Sequence, residues 1–174
     1  MTTTPGADEA IWRGAQEPAP SECHSPGVAV SRRLNPGLAF WLVCDRGFAV
    51  GLMTHHRERI GHVIWMAEPF FDNEPTGEDV KAISRWRWPV LFPLGAALHR
   101  KTVTRIGQVE VPAALRPPPT FRSKMGSAGW VAVDVVEDKR LGPTTDRSLP
   151  IYSVVNDTRL KEMLITDWRP ADTW

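Results

Sequence analysis

Tyrosine appears once and cysteine twice, and neither sign of charge prevails: 21 basic residues face 20 acidic ones, for a net charge of +1. Each shortage excludes something. Cys23 lies in a proline-rich lead-in and Cys44 ends an apolar run. Two such residues make neither a disulfide-dense scaffold nor a Cys-x-x-Cys zinc site, and a pair of unrelated cytoplasmic thiols is expected. The balanced charge lacks the basic excess that a nucleic-acid binder usually carries. The longest apolar run, Leu38 to Cys44, stops at Asp45-Arg46, far short of the ~20 residues that cross a bilayer. No charged start, apolar stretch and small-residue cleavage site open the chain, so no signal peptide is expected. Walker, Gly-x-Gly-x-x-Gly and Gly-x-Ser-x-Gly patterns are all missing. The expectation is therefore no cofactor, no metal and no catalytic residues.

What the chain has in quantity is proline, 16 residues, and tryptophan, 8 residues. So many prolines disfavour long helices. Indoles supply large apolar area with one donor each, and most are expected in the core. At 174 residues the chain has the size of one domain and buries roughly 70% of the surface that its unfolded form exposes. Residues 1–27 are polar and rich in breakers, apart from Ala10-Ile11-Trp12, and read as a flexible N-terminal arm. Residues 28–174 read as one β-rich globular domain.

Within it, Leu38 to Cys44 is short, apolar and aromatic, which predicts a buried strand. Asp45-Arg46-Gly47 predicts a tight turn with Gly47 at positive φ. Phe48 to Thr54 predicts the returning strand, with Gly51 marking a bulge or a close backbone approach. His55 to Arg59 reads as a polar connection and Ile60 to Met66 as a third strand. A loop follows, bracketed by Pro69 and Pro75 and carrying Phe70 and Phe71. Thr76 is placed as the N-cap of a short helix over 77–84, with Glu78 and Asp79 in its first turn and Val80 and Ile83 on one face. Pro89 argues against a central strand at 85–92. Leu94 to Leu98 suits a loop or a helical turn, Thr102 to Gly107 a strand, and 112–119 an extended proline-rich connector. Gly129 to Val136 and Pro150 to Val155 predict strands around a polar loop, and 158–165 a C-terminal helix. The fold class expected is mainly β (α+β): a strongly bent antiparallel sheet or small barrel with one or two short helices.

Three groups of residues could carry function. His55, His56 and His62, with Glu58 between them, are good ligand and base types, but the spacing fits no metal signature, and a solvated loop with a sheet histidine is the simpler reading. Arg85-Trp86-Arg87-Trp88 could stack on unpaired bases and neutralise phosphates, with Arg100, Lys101 and Arg105 nearby. The same alternation suits a half-exposed segment with Trp86 and Trp88 packed inward. Glu68, Asp72, Glu74, Glu78 and Asp79 fall within a dozen residues. They form either a solvated loop with a well-charged helix start or an acidic face for a basic partner.

The order of motifs resembles a known family. Gly47-Phe48-Ala49-Val50-Gly51-Leu52, a strand to Trp65, Phe70-Phe71, and Pro75-Thr76-Gly77-Glu78-Asp79-Val80 are similar to the first half of the Imm26 family of bacterial immunity proteins. Arg105 to Pro112 and Pro118-Pro119-Thr120-Phe121-Arg122 resemble its second recurring region, so that the likeness runs from about 36 to 136. Thr102-Val103-Thr104 stands where the family has Trp-Pro before its Ile-Gly step, and Trp88-Pro89 lies upstream. The resemblance implies a mostly β cytoplasmic protein of a polymorphic toxin system. Such a protein would bind a cognate toxin domain and occlude its active site, with no chemistry of its own. The partner-binding residues expected are Phe70 and Phe71 as anchors and Asp72, Glu74, Glu78 and Asp79 as a charged rim. The alternatives are a small nucleic-acid-binding module using the basic, tryptophan-bearing segment, and a hydrolase with a site built on His55 or His56. No membrane partner is expected.

Overall fold

Residues 34–57 and 61–172 are described by the computed structural model. The arm at 1–27, Cys23 and Glu58 lie outside the described residues. Strand β1 (Leu38–Cys44) turns through Asp45-Arg46 into β2 (Gly47–Arg57), with Cys44 opposite Gly47. Gly47 has φ +106°, and a Cβ there would meet the carbonyl oxygen of Phe71, so a larger residue is barred twice over. Strand β3 (Gly61–Phe71) pairs with β2 on the side away from β1. Helix α1 (Gly77–Ala82) then leads to β4 (Trp86–Phe92), and α2 (Leu94–His99) carries the chain to β5 (Thr104–Gln108). These strands make one antiparallel sheet in the order β4-β3-β2-β1-β5. Strands β6 (Thr120–Lys124), β7 (Trp130–Asp134) and β8 (Lys139–Pro143) make a second, antiparallel sheet, and α3 (Asp157–Ile165) follows.

The fold is mainly β, as expected; the sheet does not close into a barrel, and the described residues form three α-helices where one or two were expected. Burial on both faces explains why β1 and β2 read as nearly continuous apolar runs. One face carries Phe40, Leu42, Ile64, Met66, Trp88 and Phe92 beneath Leu94 and Ala97 of α2 and Leu160, Met163 and Leu164 of α3. The other carries Ala39, Val50 and Leu52 beneath Val80 of α1, its C-cap Ile83, and Leu115. A third cluster of Val63, Leu91, Phe121 and Val135 joins the second sheet to the first.

Several expectations are corrected. His55, His56 and Arg57 belong to β2, and β3 runs on to Phe71, so that Phe70 and Phe71 are strand residues opposite Ala49 and Phe48. The reason is a register shift between Ala49 and Gly51: β3 bulges there, and Pro69 sits in the bulge, where its missing N–H costs no ladder bond. Pro89 is accommodated because β4 is an edge strand. Strand β6 is new, and β8 occupies part of what reads as a polar loop; both are short and polar and are held by pairing with β7. Residues 150–155 form only isolated parallel bridges, Ile151 to Arg122 and Val154 to Leu91. Cys44 carries a free thiol that donates to the carbonyl of Gly47 at 3.3 Å. Among the described residues no helix is long and apolar enough to cross a membrane.

Candidate functional site

The acidic segment is organised by a helix cap. Thr76 Oγ1 accepts from the backbone N–H of Asp79 at 3.4 Å, and Asp79 Oδ2 accepts from the N–H and hydroxyl of Thr76, both at 2.8 Å. This reciprocal box satisfies the first turn of α1. The backbone and then the hydroxyl of Thr76 hold the Asp79 carboxyl below the usual carboxylate range. Asp79 is thus committed to the cap. Glu78 pairs with Lys81 at 2.7 Å, and Glu68 with Arg85 at 2.5 Å. Asp72 and Glu74 are exposed and form no ion pair or hydrogen bond among the described residues. Among the described residues, these two of the acidic set carry charge that no basic side chain answers.

The two phenylalanines differ. Phe70 packs on the main core, and the guanidiniums of Arg46 and Arg87 lie 4.5 and 5.3 Å from its ring centroid. Its ring is therefore engaged within the protein and is not a free anchor. Phe71 packs against the cluster under α1 and forms a wall of a hollow of about 390 Å³. Pro69, Phe71 and Ile83 give that hollow an apolar floor, and Glu68, Asp79 and Arg85 edge it. Pro69, which lies in the bulge of β3, lines the hollow beside Phe71. Sequence reasoning names Phe71 as a knob, whereas the structure places it as part of a socket. Ala82 and Ser84 also line the socket and carry no sequence signal beyond their place at the end of a short helix.

The basic segment is used internally. Arg87 donates to the carbonyls of Ala67 at 3.1 Å and Glu68 at 2.7 Å, and it pairs with Asp167. Trp88 is buried and donates from Nε1 to the carbonyl of Trp168 at 2.8 Å, while Trp86 packs half-buried on the opposite face. The expected inward packing of both indoles holds, and the register shift between Trp65 and Ala67 turns them to different faces. Arg100 faces Asp157 at 3.7 Å, and Lys101 and Arg105 are exposed.

The histidines do not converge. His55 Nε2 donates to the carbonyl of Arg116 at 2.9 Å, and its Nδ1 lies 3.0 Å from Thr54 Oγ1. His56 and His62 are cross-strand neighbours with ring centroids 5.1 Å apart. Burial, and then the neighbouring His56, push the His62 pKa down. Among the described residues no three His, Cys, Asp or Glu side chains are grouped so as to hold a metal ion. Comparison of the chain with protein-family models, curated proteins and solved structures returns no match.

Proposed function

We propose that this chain is a stoichiometric inhibitor, an immunity protein that docks a basic toxin domain in the cytoplasm and covers its active site. The observation that carries this reading is the apolar socket of Phe71, Pro69 and Ile83 next to the unanswered charges of Asp72 and Glu74. Such a pair suits a partner segment with an apolar tip flanked by lysine or arginine. Burial of the tip supplies residence time, and the opposed charges speed encounter and choose the partner. The resemblance to the Imm26 family supplies the class of partner. The engagement of Arg87 and Trp88 inside the fold speaks against the nucleic-acid module, and the divergence of His55 from His56 speaks against the hydrolase.

The test is to identify which protein encoded beside this chain carries a toxin domain and to titrate that domain against the full chain. Equimolar binding with loss of toxin activity is expected. Asp72→Lys/Glu74→Lys slows association at least about threefold and flattens its salt dependence. Ala82→Trp, which plugs the socket from an exposed position, speeds dissociation about tenfold, equivalent to ~1.4 kcal/mol. The reading fails if both variants melt like the parent and bind with unchanged rates, or if the toxin domain is not bound.

A further inference from the structure

Among the described residues, three arginine side chains are buried. Arg57 pairs with Asp138 at 2.7 Å, and Arg87 pairs with Asp167. Arg122, on β6 and only 4% exposed, has no carboxylate within ion-pair distance among the described residues. Its Nη2 donates to the carbonyl of Pro170 at 2.8 Å, its Cζ lies 4.8 Å from the centroid of the Trp130 ring, and its buried Nε–H has no acceptor among the described residues. A guanidinium does not give up its proton to escape burial. An unneutralised charge in such a place is costly unless an anion completes it.

The space for one is adjacent. Arg122 lines a hollow of about 490 Å³ between β6, β7 and the segment after β8, together with Trp130, Pro143, Thr145, Asp146 and Arg147. That volume falls within the range of small-ligand pockets, ~300–1,000 Å³. Asp146 does not close the gap in charge. Its Oδ1 accepts from the N–H and the hydroxyl of Ser148 at 2.8 and 2.6 Å, and its own N–H bonds Thr144 Oγ1 at 3.1 Å, so the carboxylate is tied into its own turn. Those bonds from Ser148, and more weakly the charge of Arg122, keep it ionised. Two guanidiniums against one carboxylate leave the lining with one positive charge. Trp130 and Pro143 supply apolar walls that a lone inorganic ion would not need.

We propose that this hollow binds a small organic oxyanion of single negative charge, its head held by Arg122 and Arg147 and its body lying against Trp130 and Pro143. This site belongs to the second sheet and does not depend on the inhibitor reading above.

The experiment is calorimetric titration of the full chain with benzoate, with methyl phenyl phosphate, and with benzamide as the neutral counterpart of benzoate. At least one of the two anions is expected to bind in equimolar ratio, at least about tenfold more tightly than benzamide. The tighter of the two identifies the head group. Arg122→Met is expected to abolish binding. Thr145→Trp fills the hollow from an exposed position and is expected to abolish it too, without depending on a change in the buried strand. The proposal is overturned if neither anion binds, if benzamide binds as well as the anions, or if Thr145→Trp melts like the parent and retains full affinity.

Discussion

Replacing Gly51 by alanine tests how tightly the central strands are packed. Gly51 of β2 lies opposite Phe40 of β1, and the ring of Phe40 covers it. A Cβ at position 51 would stand under 3.0 Å from three carbons of that ring. The ring has little room to retreat, because Phe40 is fully buried and stacks on Phe92 at 6.0 Å with an interplanar angle of 7°. The backbone of Gly51 itself is ordinary, so the cost is steric alone. Overpacking of this kind costs about 1–3 kcal/mol, partly offset by the ~0.4–1 kcal/mol that alanine saves in unfolded-chain entropy. A net loss of about 1–2 kcal/mol lowers the melting temperature by roughly 2–8 °C in a domain of this size. Thermal and urea melts of Gly51→Ala, Phe40→Leu and the double variant make the measurement. Leucine removes the ring that clashes, so the double variant should be at least about 0.5 kcal/mol more stable than the sum of the single losses predicts. Gly77→Ala serves as a control, since a Cβ there meets nothing within 4 Å. The reasoning is refuted if Gly51→Ala melts within about 1 °C of the parent, or if the cycle is additive.

The histidine pair predicts a pH dependence of stability. The pKa of His62 is lowered by burial and by His56, so between that value and an unfolded value of about 6.5 the unfolded chain binds more protons. Stability should therefore fall as the pH drops below about 6.5, above the range in which Asp79, Asp138, Asp146 and Asp167 titrate. Urea midpoints between about pH 7.5 and 5 measure it, and an equal slope in His62→Gln would sink the assignment. The cap of α1 predicts that Thr76→Ala loses about 1 kcal/mol, because both bonds of the Thr76 hydroxyl to Asp79 go while the backbone N–H at 76 still donates to the Asp79 carboxylate, whereas Thr76→Ser keeps most of it. Equal melting temperatures for the two variants would show that the cap contributes little.

Local chemistry was legible without coordinates. The bounds of β1, the turn at Gly47, the cap at Thr76 and the C-terminal helix all rest on neighbours in the chain, where periodicity, φ preference and side-chain-to-backbone bonding decide. The expectation of a mostly β fold follows from the same short apolar runs. Other features required the tertiary structure. Strands β6 and β8 carry little apolar signal of their own; they exist because β7 pairs with each of them. The His55 to Arg57 stretch looks like a connection until β3 is seen to pair along all of it. The partners of a long polar side chain come from remote sequence: Asp167 for Arg87, Arg116 for His55, and among the described residues no carboxylate for Arg122. Phe71, an expected knob, forms the wall of a socket beside Pro69 of the bulge. Sequence by itself determined the central strand β1, the turn at Gly47 and the cap at Thr76, because those energies are local. Which charges are answered and which hollows stay open was decided only by the tertiary structure, because both depend on where distant segments meet.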